Sequence, residues 1–592
     1  SGRVTGVQTC ALPISNMYYP NTKKKLALAG LLISLLISSC AQDQKQIEQS
    51  ESVSSSEALT SHVLSRHQLR QYHEQEVKAK MLKAESIGSS KRVENIKRSR
   101  VMSMAPMGDF VSQGSFNKLN RDEYGKINQN SVKLVTEDPV STFSIDVDTG
   151  AYAVVRRHLN QGLLPPKNAV RIEELINYFD YQYPKPRDSE APFSVSTELA
   201  PTPWNKNTHL LQVGLQGYLP VNETRSAANL VFLLDVSGSM NATDKLPLLK
   251  NAFRLLVNQL SEQDSVSIVV YAGSSGVVLE PTKGNLKGNI LAALDKLSAG
   301  GSTHGSAGIQ LAYSMAEQSF IKGGINRVIL ATDGDFNVGT VNHESLLDLI
   351  ESKKAKGISL TTLGFGQGNY NDHLMEQLAD HGDGNYAYID NLNEARKTLV
   401  EQISATLETI AKDVKIQLEW NPSIISEYRL IGYENRLLNR EDFNNDKVDA
   451  GEIGAGHTVT ALYEITFAGA VQTRIEALRY QSGNEFTRSA SNEIAYLKLR
   501  YKKPGETNSR LIQHALGNKD ITTEIDKASD SLRFAASVAA FGELLRGGNN
   551  LQQFGYQDVL NLARSARGFD KHGYRGEYVR LVELAEALDT SS

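Results

Sequence analysis

Between residues 229 and 411, short apolar runs and amphipathic stretches take turns along the chain, and few architectures accommodate that order. The runs at 230–234, 265–271, 327–331 and 359–364 have the length and continuity of strands buried on both faces. Those at 246–260, 290–297, 309–318, 345–354 and 393–410 repeat apolar residues at helical spacing. Strand–helix alternation of this kind predicts an α/β fold, a doubly wound, mostly parallel sheet with helices on both faces. Such sheets bind ligands beyond the carboxyl ends of their strands, so the residues that follow each run are the first place to look for function.

Asp235-Val-Ser237-Gly-Ser239 follows the first run. In an extended turn, residues two apart point the same way, so Asp235, Ser237 and Ser239 can offer three oxygens to one ion while Gly238 relieves crowding. On its own the pattern is weak, because acids and serines crowd loops. Here Gly300-Gly301-Ser302-Thr303 closes a long loop before the helix at 309, and the run 327–331 leads into Thr332-Asp333-Gly334. Three strand-end loops then converge. Oxygen-only ligands select a hard cation, with magnesium the expectation and manganese or calcium able to substitute.

Asp235, Ser237 and Ser239, then Thr303, then Asp333 in a Thr-Asp-Gly setting resemble the metal-ion-dependent adhesion site of von Willebrand factor type A (VWA) domains, a Rossmann-like fold, at all five positions. The resemblance implies direct coordination by the two serines and the threonine, with the acids acting directly or through water. Residues 141–149, Asn177-Tyr-Phe-Asp180 and 441–449 are similar to the YfbK-like bacterial VWA lipoproteins, which extends the resemblance from about 138 to the C-terminus. Two carboxylates roughly neutralise a dication and neutral hydroxyls leave it electrophilic, so a partner protein's Asp or Glu is the expected further ligand.

The N-terminus reads as an export signal. Residues 1–16 lack any period and are set aside as a sequence scar. Residues 17–39 carry Lys23, Lys24 and Lys25 ahead of an apolar stretch of about a dozen residues, too short for the roughly 20 that span a bilayer. Ile37-Ser-Ser-Cys40 resembles the lipobox of bacterial lipoproteins, which implies lipidation at Cys40 and a membrane attachment through it. Ala41 implies, by resemblance to lipoprotein sorting, the outer membrane of a Gram-negative envelope. Cys10 lies in the discarded segment, so no disulfide is expected.

Residues 40–135 are rich in Gln, Ser, Lys and Glu and poor in aromatics, the composition of a tether. Three folded parts follow in this reading: 138–226 as an N-terminal flank, 228–412 as the VWA domain, and 413–592 as a β-rich then helical C-terminal part. Asp146 and Asp148 read as acids on the wet face of a strand. Phe534, Val538, Phe541 and Leu545 fall at helical spacing as a core stripe.

A formal net charge of −4 over 592 residues leaves no electrostatic footprint for nucleic acid. Gly364-Phe-Gly366-Gln-Gly368 lacks the spacing of a dinucleotide fingerprint and reads as a strand-end turn. The acid-rich stretch 442–452 has Lys447 where a calcium loop needs glycine, and reads as a solvated turn. Neither a nucleophile elbow nor a P-loop is present, so a binding module rather than an enzyme is expected. The alternatives are a metal-assisted hydrolase using His304, and a scaffold whose metal only braces its loops.

Overall fold

The computed structural model describes residues 121–187, 190–219, 225–334, 336, 343–470, 472–475, 492–517, 519 and 521–589. Cys40 and the segments expected to be a scar (1–16), a leader (17–39) and, up to residue 120, a tether lie outside the described residues.

The chain opens with strands β1 (Lys133–Leu134) and β2 (Val140–Ser144), the helices Gly150–Asn160 and Ile172–Asn177, and the hairpin of β3 (Phe193–Thr202) and β4 (Asn205–Gly217). The central sheet follows, from β5 (Ala228–Asp235), β6 (Ser265–Tyr271), β7 (Ser275–Lys283), β8 (Ile325–Thr332), β9 (Ser359–Phe365) and β10 (Tyr386–Ile389). Its spatial order is β10-β9-β8-β5-β6-β7, parallel throughout except for the β6–β7 hairpin. This is the doubly wound α/β sheet that the alternation predicts. All eight residues of β5 are buried because helices cover both faces, Leu249, Phe253 and Leu256 packing with Phe232 on one side, Ile309 and Tyr313 with Val231 on the other.

Two strands escape the sequence pattern. The residues of β7 are half-buried or exposed and include Pro281, as befits an edge strand, and β10 has only four residues. The helical stretch expected at 393–410 is broken instead: Leu392–Arg396 passes into a π-helical turn, Lys397–Glu401, then Ile403–Leu407, and a strand has begun by Thr409.

The remaining strands are β11 (Thr409–Trp420), β12 (Ile425–Ile431), β13 (Ile453–Gly454), β14 (Thr458–Phe467), β15 (Glu493–Lys502) and β16 (Arg510–Gly517). They pair with strands that precede the central sheet. One sheet runs β1-β12-β14-β4-β3, with Val213 opposite Ala461; the other runs β13-β11-β15-β16, with β2 laid on β11 so that Phe143 faces Ile416. Leu211, Val213, Ile416, Trp420, Tyr463 and Leu497 fill a single core between them. Residues 138–226 and 413–592, read separately from the sequence, therefore share both sheets, and the VWA domain is inserted between their halves.

The helices close in the same way. Asp530–Arg546, Tyr556–Ser565 and Tyr574–Asp589 pack on the two early helices, with Phe534, Val538 and Phe541 fully buried against Tyr152, Leu175 and Phe179. The buried guanidinium of Arg156 ties this layer to the central domain, bonding Asp390 through Nε at 2.8 Å, Glu394 through Nη2 at 2.6 Å and Glu577 through Nη1 at 2.9 Å.

Two further expectations need correction. The tether does not extend to 135, because Asp122 accepts from the backbone N–H of Gly368 at 2.8 Å and Tyr370 at 3.0 Å and pairs with Arg157 at 2.7 Å, which straps this segment to the central domain. Asp146 and Asp148 are not on a wet face. They lie past the end of β2 and are buried, Asp146 against Arg436 Nε at 3.0 Å and Asp148 accepting from Tyr386 N–H at 2.9 Å. Among the described residues, no helix is long and apolar enough to cross a membrane.

Candidate metal centre

Asp235 is the last residue of β5, and its side chain is fixed before any ligand arrives. Oδ1 accepts from the Ser237 N–H at 2.8 Å; Oδ2 accepts from Thr332 Oγ1 at 2.9 Å and from the Tyr271 hydroxyl at 3.3 Å. Three neighbouring strands thus aim one carboxylate. The turn then enters a short 3-10 helix, Gly238–Asn241, which places Ser237 Oγ and Ser239 Oγ 3.0 Å apart. Adjacent oxygens around an octahedral magnesium, each about 2.1 Å from the ion, are separated by roughly 3.0 Å, so the serine pair has the spacing of two neighbouring ligands.

The loop bearing Thr303 is tied to that turn through its backbone. Gly300 N–H donates to Val236 O at 2.8 Å, Gly238 N–H donates to Gly301 O at 3.0 Å, and His304 N–H donates to Ala272 O at 2.9 Å. Gly301 has φ +83°, and a Cβ there would stand 3.2 Å from Gly273 N, so glycine permits both the left-handed turn and the close approach. Thr303 is half-buried at the rim, and His304 is exposed beside it with Nδ1 3.4 Å from Ser302 Oγ.

Asp333 arrives by strand adjacency. Leu234 pairs with Ala331 across β5 and β8, so Thr332 stands beside Asp235 and Asp333 is one step further along the same edge. Direct contacts therefore gather Asp235, Ser237 and Ser239; backbone bonds hold the residues on both sides of Thr303 to the neighbouring turns, and strand register sets Asp333 one step past Thr332. Burial raises the Asp235 carboxyl to about 6, the neighbouring Asp333 pushing the same way and the Ser237 N–H opposing. A buried carboxylate short of positive charge beside two hydroxyls at octahedral spacing fits a hard dication. Loaded there, the ion would supply a Lewis-acidic vertex for an anionic oxygen.

One participant has no sequence signature. Lys245, buried just before the helix Leu246–Asn258, donates from Nζ to Asp333 Oδ2 at 2.7 Å and to Asn369 Oδ1 at 3.2 Å. The aliphatic stem crosses Gly366, where φ is +71° and a Cβ would collide with the Cγ, Cδ and Cε of the lysine. The glycine-rich turn 364–368 is thus a strand-end turn that also makes room for this side chain. In the acid-rich stretch, Asp442 bonds the backbone N–H of Asn439 at 3.0 Å and Asp446 bonds the Ser509 hydroxyl at 2.6 Å, which are turn and edge contacts.

Fold and sequence together define a VWA-domain protein: residues 229–402 match the family described as von Willebrand factor type A domain, and residues 118–212 match the family described as von Willebrand factor. VWA domains commonly bind metal and mediate protein interactions. Residues 405–588 match the family described as "Uncharacterized protein YfbK, C-terminal". The chain belongs to the YfbK family, being 46% identical over 472 residues to the protein of that name from Escherichia coli strain K12, a span of 78% of this chain and 81% of that one. It is also 24% identical over 261 residues to the human inter-alpha-trypsin inhibitor heavy chain H3, covering 40% of this chain and 28% of that protein. Among solved structures, a von Willebrand factor type A protein from Catenulispora acidiphila aligns at 15% identity and a TM-score of 0.37, over 65% of this chain and 89% of that one.

Proposed function

We propose that this protein is a lipid-anchored envelope receptor or assembly factor that binds magnesium through Ser237, Ser239 and Thr303, with Asp235 and Asp333 directly or through water, and captures a partner protein through an exposed Asp or Glu. Manganese or calcium would substitute. The observation that carries the reading is the 3.0 Å separation of the two serine oxygens at the carboxyl end of β5, beside a buried and prealigned carboxylate. Binding is favoured over hydrolysis because both acids are engaged: Asp235 accepts three hydrogen bonds and Asp333 holds Lys245, so neither is free to serve as a general base.

The test is affinity capture from envelope extracts with magnesium or with chelator. A partner released by chelator and lost in Asp235→Ala supports the reading, whereas undiminished capture under both conditions refutes it. Anchoring through Cys40 is tested separately by fractionation. Cys40→Ala is expected to move the protein from the membrane fraction to the soluble one.

A further inference from the structure

A lysine at the start of a helix is placed against the helix dipole, where a cation is disfavoured, so the helix Leu246–Asn258 gives no reason for Lys245. The reason lies across the domain. Three separate elements build its slot: the turn before that helix supplies the side chain, the end of β8 supplies Asp333, and the turn after β9 supplies Asn369 and the gap at Gly366. The ammonium is almost wholly buried, so water screens its pairing with Asp333 little.

Charge counting gives the consequence. Among the described residues that make these contacts, Asp235 and Asp333 carry two negative charges and Lys245 returns one, so the site that a dication meets is singly negative. Loaded, that site is singly positive, and one carboxylate from outside brings it to neutrality. Without the lysine, the same loaded site would be neutral overall, and an incoming carboxylate, still drawn to the electrophilic ion, would be held less strongly because its charge is no longer balanced.

We propose that Lys245 is a tethered cation that shares Asp333 with the bound metal, weakening metal affinity while fitting the loaded site to a singly charged carboxylate. This rests on the metal-binding reading above. The lysine is a positioning and charge-setting residue, and the partner chemistry it selects is an Asp or Glu side chain rather than a neutral amide or hydroxyl.

The experiment is titration of the full-length chain with manganese alone, by calorimetry, in the native protein, Lys245→Met and Asn369→Ala. Removing the lysine is expected to tighten manganese about tenfold, as one nearby like charge is withdrawn from a buried site. Asn369→Ala is expected to weaken it two- to threefold (about), since the ammonium then leans wholly on Asp333. Because residue 369 is only half-buried, this variant keeps the test open should Lys245→Met fail to fold. Acetate, added to the manganese-loaded proteins and followed by water-proton relaxation, should displace bound water at several-fold lower concentration in the native chain than in Lys245→Met. Native binding with an unchanged or weaker constant in Lys245→Met, an unchanged constant in Asn369→Ala, or equal acetate sensitivity overturns the role of Lys245. No manganese binding by the native chain overturns the metal reading itself, and this proposal with it.

Discussion

Thr332 Oγ1 donates to Asp235 Oδ2 at 2.9 Å, from β8 to the neighbouring β5, and so couples the strand that carries one acid of the site to the acid on the other. Thr332→Val keeps the shape and removes the donor, leaving Oδ2 with the longer bond from the Tyr271 hydroxyl at 3.3 Å and the Gly334 N–H without the acceptor it has at 3.2 Å. An under-satisfied buried acceptor costs about 1–3 kcal/mol. The variant is expected to lose about that much stability in urea and, as Asp235 loses its alignment, to bind manganese about tenfold more weakly. Equal stability and equal binding in native and variant protein would remove Thr332 from the site.

The loop that brings Thr303 to the rim depends on Gly301. At φ +83° a β-carbon costs about 1–2 kcal/mol, and here it also presses on Gly273 N at 3.2 Å. Gly301→Ala should lower the melting temperature by about 2–6 °C and weaken manganese binding, while Gly300→Ala, which meets nothing within 4 Å, serves as the silent control. Identical behaviour of the two variants would show that the loop is not held as described.

How much of this was legible in the sequence depends on whether the information is local. Long apolar runs marked β5, β6, β8 and β9, and helical periodicity marked Phe534, Val538 and Phe541, because burial of a strand or helix face imprints its own period. The meeting of Asp235, Ser237 and Ser239 at the end of β5 was legible because strand ends are where such sheets bind ligands. Lys245 was not, since a lone lysine carries no mark of the aspartate 88 residues on that it pairs with. Nor was the sharing of sheets by the flanks: β4 and β14 each read as a strand, but nothing local in either names Ala461 as the partner of Val213. Asp146 and Asp148 alternate like surface acids, and nothing local in the sequence announces the distant Arg436 and Tyr386 N–H that meet them in the interior.

The strap at residue 122 is a further non-local contact with a measurable cost. Asp122→Ala leaves the Gly368 and Tyr370 N–H groups without that acceptor and Arg157 without its carboxylate, although Arg157 keeps Tyr124 and Tyr388. Breaking a buried pair from one side costs about 3–5 kcal/mol, and the remaining partners of Arg157 place the expectation near 3 kcal/mol. Denaturation in urea checks the figure, and limited proteolysis should cut near residue 122 in the variant before it cuts the native chain. A loss below about 1 kcal/mol would mean that the strap contributes little.

Lys397 is buried in the π-helical turn with its Nζ 3.6 Å from the centre of the Tyr178 ring and, among the described residues, no hydrogen-bond acceptor. Burial lowers its ammonium to about 8, with the carboxylate of Glu394 opposing. The unfolded chain keeps that proton up to about 10.4, the folded chain only to about 8, so unfolding takes up a proton in this window. Raising the pH from 8 to 10 therefore disfavours the unfolded state, and stability rises. Full linkage would give about 3 kcal/mol, and attraction of the cation to the Tyr178 ring reduces it to about 1–2 kcal/mol. His457 makes the test specific, because burial and then the charge of Lys397 lower its imidazole to about 4. The unfolded chain binds that proton below about 6.5, so stability falls as the pH drops from 6.5 to 4. Lys397→Met should flatten the alkaline rise and also soften the acid loss, since His457 then titrates closer to its ordinary value. Urea denaturation at pH 5, 7 and 9.5 reads both limbs, and parallel profiles in native and variant protein would rule out the coupling.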